Sequence, residues 1–417
     1  MTKKYLHNST QRRNFIFVLC VLFLFYPYMF PDLFMPFMNS SMTLYMAVAG
    51  ITLMLNLSSP RKESLPWEFW VPVAVMVLGS MIAFLNTGSR YTLIRCLMLF
   101  TSCNLIFFVH SRIGLFSFYG AYNRWIYIMA IGGIIGLLLA LVGVPPIIHT
   151  IAMNDDRPFY SWLVTCSKSD LGTHFIRYSG FFDEPGAMAY WGVFAVAINK
   201  LFIKDSRIEW PLIILLLFTF SAGFFVQLVV YIAFFALKGT SFKKIIAISS
   251  LLLLVTGAAY FSKGTAYSEL YDASFGRFED VTIGADEDIM TNTNRNFMAA
   301  KAYVIWQENP IWGMSGNDKY KEEGYYLDNP YETLATDGIV GFIYINFPFW
   351  WLLILAIWKR DYNLLGVALF CSLSLIHRPV HANMLTFFVL YSIPCMYGLK
   401  MKNKNHSLRT VGKSQVA

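Results

Sequence analysis

The sequence predicts an all-α integral membrane protein with about 12 transmembrane helices and two large loops on one side of the bilayer. Three observations predict it. Hydrophobic residues make up 56% of the 417, mean hydropathy is +0.50 and charged residues are only 14%, whereas a soluble domain carries about 25% charged residues. Apolar runs of membrane-crossing length recur along the chain, and twelve of about 19 residues would occupy roughly 55% of it. Basic residues collect between and beyond particular runs. A soluble enzyme with one anchor, a disulfide scaffold and a disordered chain are all excluded.

The runs lie at 14–31, 42–57, 67–85, 91–109, 125–144 and 185–203, then at 210–237, 245–262, 337–358, 362–377 and 382–399. The first lacks a small-residue cleavage site and has a second run close behind it, so it reads as a retained helix. Lys3, Lys4, Arg12 and Arg13 precede it, and Lys400, Lys402, Lys404, Arg409 and Lys413 follow the last run. Arg61 and Lys62 follow span two, Arg112 and Arg124 follow span four, and Lys200, Lys204 and Arg207 follow span six. The positive-inside rule puts all of these in the cytoplasm, together with both termini. The net charge of +8 therefore calls for no nucleic-acid partner.

The 28 residues at 210–237 decide the count. One long helix would place Lys238, Lys243 and Lys244 outside. A broken pair meeting near Ser221-Ala222-Gly223 returns them to the cytoplasm and gives twelve crossings. Each half is short for a span of about 20 residues, so either half reads as tilted or re-entrant. Such irregular backbone is tolerated only when packed in protein or lining a cavity.

The resulting organisation has helices 1–5 in residues 1–144 and a first outer loop at 145–184. Central helices with the break fill 185–262, a second outer loop fills 263–336, the last helices fill 337–399, and 400–417 is a basic tail. The second loop holds six Lys and Arg against thirteen Asp and Glu, a net of −7, which supports its outer location. Residues 293–308 within it read as a helix, with Phe297, Ala300 and Val304 at helical spacing before Asn309-Pro310. Loops of this length in compact proteins usually carry function.

No Walker loop, dinucleotide fingerprint, HExxH or nucleophile elbow occurs. Five of six cysteines lie inside apolar runs, so no disulfide framework is expected. The remaining chemistry is polar groups gathered on the outer face: Arg90, Arg95, His174, Arg177, Asp183, Glu184, Arg277, Arg295, Glu332, Asp337, His377, Arg378 and His381. Aromatic side chains accompany them, among them Tyr160, Trp162, Tyr178, Trp312, Tyr325, Tyr326 and Tyr331. Guanidinium forks suit phosphate oxygens and flat rings suit sugars. A pocket at the outer boundary for an anionic, glycosylated lipid is the reading that follows.

Plainer roles stand beside these. Arg90 and Arg95 fit snorkelling residues at the interface. Asp183-Glu184-Pro185 fits a helix start, with acids favouring the dipole and Pro in the first turn. Asn329-Pro330-Tyr331-Glu332 fits a capping box. His377 and His381 have metal-like spacing, but the intervening Pro379 favours a tight outer turn over a metal site.

The stretch Arg177-Tyr178-Ser179-Gly180-Phe181-Phe182-Asp183-Glu184-Pro185 resembles the R-x-x-G-x-F-x-E-P signature of the O-antigen polymerase and ligase superfamily. Thr219-Phe220-Ser221-Ala222-Gly223 is similar to its helix break, with Ala222 where Arg is common. Asn309-Pro310-Ile311-Trp312-Gly313-Met314-Ser315-Gly316 resembles its N-P-(I/L)-x-G-x-G turn. Asp328-Asn329-Pro330-Tyr331 followed by Asp337-Gly338-Ile339-Val340-Gly341 resembles its H-N-x-(Y/F)…G-(I/L)-x-G element. Asp328 replaces the His that ligases carry, which favours the polymerase branch.

The resemblance implies a glycosyltransferase of the integral-membrane C type (GT-C-like), with no metal and no cofactor. It would sit in the bacterial inner membrane and polymerise undecaprenyl-diphosphate-linked repeat units at the periplasmic face, building O-antigen or a related surface polysaccharide. Its partners would be that lipid-linked glycan as donor and acceptor, membrane lipid, and a polysaccharide chain-length regulator. Arg177, Arg277, Arg295 and Arg378 are the candidate diphosphate ligands. Glu184 is the leading candidate base, with Asp183, Asp328 and His377 in reserve, and Tyr178, Trp312, Asn329 and Tyr331 are the candidate glycan contacts. The alternatives are a ligase transferring glycan to lipid A-core and a lipid-linked oligosaccharide flippase or transporter.

Overall fold

The computed structural model describes residues 16–18, 20–21, 47, 50–56, 64–151, 158–162, 165–169, 176–180, 182, 185–236, 250, 257, 260–261, 295–314, 331–377 and 384–414. In chain order these form α1 (Trp67–Thr87), α2 (Arg90–Arg112) and α3 (Leu115–Leu141). Four strands follow: β1 (Ile148–Ile151), β2 (Pro158–Trp162), β3 (Thr165–Ser169) and β4 (Ile176–Gly180). Then come α4 (Pro185–Ile198), prolonged by one π-helical turn (Asn199–Ile203), α5 (Ser206–Leu217), α6 (Ala222–Tyr231) and α7 (Arg295–Glu308). The chain closes with α8 (Glu332–Ile345), α9 (Phe347–Lys359), α10 (Tyr362–Ser372), α11 (Ser374–His377) and α12 (Met384–Ser414).

The protein is mostly helical, and among the described residues six helices are long and apolar enough to cross a membrane. They are α1, α2 from Thr92, α3, α4 with its π turn, α8 joined to α9, and α12 as far as Asn403. Local signals set their ends. Gly88, at φ 66°, closes α1, its N–H bonding to the Phe84 carbonyl at 2.8 Å, the left-handed stop that glycine makes without strain. Asp205 caps α5 by accepting from the Arg207 N–H, and Asp361 caps α10 by accepting from Asn363 and Leu364. α3 starts ten residues before the 125 expected from the apolar run. Asn123 and Arg124 had read as loop, yet Asn123 is fully buried and donates to Asn199 Oδ1 at 3.5 Å while Arg124 is exposed.

Contacts between helix ends sort the bundle into two poles. At one pole the Trp67 ring meets Trp358 at 5.3 Å, and Lys359 Nζ lies 4.6 Å from the Trp358 ring centre. The Lys400 ammonium donates to the Leu201 carbonyl at 3.0 Å, and Tyr397 to Asp361 at 3.3 Å. Lys200 pairs with Glu209 at 2.9 Å. Basic side chains mixed with tryptophans mark a membrane–water interface. The opposite pole holds the Gly88 turn, the end of α3 and the beginnings of α4 and α8.

Not every helix runs from pole to pole. α5 has 12 residues and α10 has 11, so they rise only ~18 Å and ~16 Å, short of a hydrocarbon core of about 30 Å. Tyr231 at the end of α6 donates to Glu209 at the start of α5, so α5 and α6 form a hairpin based at the basic pole. Its tip is the non-helical stretch Phe218–Ser221. α10 stands antiparallel beside α6: Phe234 stacks near Tyr362 at 5.1 Å, and Gln227 reaches Ser374 at 2.8 Å. α12 begins level with the middle of α2, because the Ser102 hydroxyl donates to the Met384 carbonyl at 3.1 Å. The start of α11 therefore lies beside α6, near the tip of the α5–α6 hairpin.

The sheet departs from the all-α expectation. It is an antiparallel meander in the order β1-β2-β3-β4, with Tyr160 opposite Ser167 and Lys168 opposite Arg177. Strands of four or five residues carry no distinguishing period, and their stability comes from neighbours distant in sequence. β4 lies along α3, where the Tyr178 ring occupies the space that a side chain at Gly133 would need.

Candidate functional site

Arg177 on β4 is 3% exposed and spans the tip of the α5–α6 hairpin. Its Nε and one terminal nitrogen donate to the Thr219 carbonyl at 3.0 and 2.8 Å, and that nitrogen also reaches the Phe220 carbonyl at 3.0 Å. The neighbouring Tyr178 donates its hydroxyl to the Leu215 carbonyl. A helix C-terminus leaves carbonyls without intrahelical donors and carries partial negative charge that favours a cation. Two adjacent side chains of β4 thus satisfy the end of α5 inside the bundle. Burial raises the Tyr178 phenol well above its ordinary pKa, which keeps the proton that it donates. Phe220 holds φ 48°, a left-handed conformation rarely adopted by bulky residues, and Arg177 grips its carbonyl.

A second buried cation lies between α2 and α8. Arg95 grips both carboxylate oxygens of Asp337 as a bidentate fork, one of the two bonds being 2.8 Å, and Thr336 donates to the same carboxylate at 2.7 Å. The side chains are 13% and 3% exposed. Asp337 is held at a kink, since Gly338 after it has φ 64° and ψ −168°. The turn Asn309–Gly313 seats in that kink: the Ile339 N–H bonds to the Pro310 carbonyl at 2.9 Å, Val340 to Ile311 at 3.2 Å and Met314 to Ala335 at 2.8 Å. A Cβ on Gly338 would strike the Ile311 carbonyl, and one on Gly313, itself at φ 66°, would strike the backbone of Asp337 and Gly338. Only glycine fits either position.

The four segments that carry the resemblance therefore meet in pairs. Residues 177–180 join the 219–221 break, and residues 309–314 join 335–341. Comparison with protein-family models, curated proteins and solved structures finds no match. The chain's own geometry carries the functional reading.

Of the candidate diphosphate ligands, Arg177 is a buried cap on backbone carbonyls, and Arg295 forms the first residue of α7. Arg277 and Arg378 lie outside the described residues, as do Asp183, Glu184, Asp328 and Asn329. His377 ends α11, three residues beyond Ser374, which Gln227 holds; the turn expected after it, with Arg378 and His381, lies outside the described residues. Among the candidate glycan contacts, Tyr178 is fully buried in the structural role above, and Trp312 packs partly against the core. Tyr331 is exposed with its ring against Tyr303 at 5.5 Å.

Sequence reasoning placed Arg95 and Asp337 in the outer polar set without pairing them, because 242 residues separate them. The hint available was the surplus of ionisable groups within apolar spans, which demand partners. Among the described residues no group of three or more His, Cys, Asp or Glu is placed to hold a metal ion. What the arrangement offers chemically is a stationary guanidinium beside the irregular backbone at the tip of the α5–α6 hairpin.

Proposed function

We propose that this chain is a bacterial inner-membrane glycosyltransferase of C-type architecture that polymerises undecaprenyl-diphosphate-linked repeat units into a surface polysaccharide. The basic pole faces the cytoplasm, and the growing glycan is transferred to the next lipid-linked unit on the periplasmic side. About twelve crossings result when α5 and α6 are counted as two arms and the flanking apolar runs are included. The observation that supports this reading is Arg177, buried and locked onto the non-helical tip of the α5–α6 hairpin. Non-helical backbone at such depth belongs where protein buries it or where it borders a polar cavity, and a fixed cation there suits a diphosphate leaving group.

In this account Arg177, Arg277, Arg295 and Arg378 stabilise charge growing on the departing diphosphate, and Glu184 accepts the proton of the acceptor hydroxyl. Asp183, Asp328 and His377 are the alternative acceptors of that proton. Gene deletion followed by electrophoresis of the surface polysaccharide tests the function. A single capped repeat unit is expected. Bare core would indicate a ligase or flippase instead, and an intact ladder would contradict the reading.

A further inference from the structure

We propose that Gln227 is a positioning residue that couples the α5–α6 tip to the α11 segment ending at His377, so that the two move as one body. For its effect on turnover the proposal rests on the polymerase reading; the mechanical coupling does not. Gln227 is fully buried in the apolar helix α6, and Ser374 is 1% exposed. The amide nitrogen of Gln227 donates to the Ser374 hydroxyl at 2.8 Å and to the Phe370 carbonyl at 3.4 Å. Both acceptors lie outside the α5–α6 hairpin, at the end of α10 and the start of α11. Among the described residues nothing hydrogen-bonds the Gln227 carbonyl oxygen.

A half-satisfied amide at zero exposure is an expensive way to fill a core position, since burying an unpaired polar atom costs free energy that an apolar side chain avoids. Packing below the bridge is already adequate without it. Tyr231 meets Phe370 at 5.7 Å, and Phe234 and Phe235 close over Gly366. Apolar side chains flank the bridge too, with Phe224 and Leu228 of α6 buried and Leu375 of α11 packed against the core, so the directional bond adds orientation to packing that is already present. Five residues separate Gln227 from the start of α6, and three separate Ser374 from His377. The bridge is therefore about one helical turn from the α5–α6 tip and from His377, where it sets their separation.

The test uses the purified full chain in nanodiscs, as wild type, Gln227→Met, Ser374→Ala and the double variant. Met keeps the volume and removes the donor. Amide hydrogen exchange is followed at 218–224 and 370–377, together with kcat and KM for elongation of a lipid-linked repeat unit. Gln227→Met is expected to speed exchange in both segments by about fivefold, the factor equivalent to one neutral hydrogen bond. The double variant should be no faster than either single one, and kcat should fall by a similar factor at unchanged KM. Faster exchange in only one segment, or additive effects in the double variant, overturns the coupling. Coupled exchange with an unaltered kcat overturns the positioning role. A wild-type protein that elongates nothing overturns the polymerase reading, while the exchange data still judge the bridge; if Gln227→Met fails to fold, Ser374→Ala makes the same break from the other side.

Discussion

Arg177 holds the carbonyls of both Thr219 and Phe220, so a strand from one end of the bundle stabilises a helix break inside it. The relationship gives the residue a structural role. Arg177→Ala leaves buried carbonyls without donors, a loss of roughly 1–3 kcal/mol. Arg177→Lys cannot reproduce the fork and should recover less than half of it. Thermal unfolding in detergent measures both, and an unchanged melting temperature for the alanine variant would sink the capping role.

The Arg95–Asp337 pair predicts non-additivity. Removing one member, as in Asp337→Asn, strands a buried charge at a cost of about 3–5 kcal/mol. Replacing both, as in Arg95→Met with Asp337→Leu, should be milder than either single change. A double-mutant cycle by denaturant unfolding provides the check. If the two losses simply add, the ions are not coupled as described.

Glycines 313 and 338 predict the steepest local sensitivity. Alanine at Gly338 meets the Ile311 carbonyl and must also hold φ 64°, and the backbone conformation alone costs roughly 1–3 kcal/mol. Alanine at Gly120, where nothing lies within 4 Å of an added Cβ, should be tolerated or slightly stabilising. Comparing folded yields of the two variants decides the matter.

The two poles predict a labelling pattern. Cysteines introduced at Asn86 or Val144 should react with a membrane-impermeant maleimide in intact spheroplasts, and cysteines at Arg360 or Lys402 should react only after lysis. The reverse pattern would turn the protein over and place Arg177 nearer the cytoplasm.

Several of the long apolar helices were legible because they are written in composition over long windows. The run at 67–85 became Trp67–Thr87, and the short halves around residue 221 became α5 and α6. The break itself sits at Phe218–Ser221, earlier than the glycine suggested, where Arg177, 42 residues away in sequence, holds its carbonyls. The sheet was invisible for a related reason, since strands such as Thr165–Ser169 are defined by partners and not by their own polarity. Arg95 and Asp337 were each noticed, but sequence distance hid that they neutralise one another. Glycine positions 313 and 338 stood out as motif residues, and only the packed turn explains why neither admits a side chain.

The central claim is that a fixed cation on the tip of the α5–α6 hairpin serves transfer between lipid-linked glycans. Its most direct measurement is elongation of a purified, defined lipid-linked repeat unit by the detergent-solubilised protein, where no membrane remains to be crossed. The account predicts a ladder of products that disappears with Arg177→Ala and with Glu184→Gln and persists with Lys319→Ala. A wild-type protein that leaves the substrate as a single unit would contradict it.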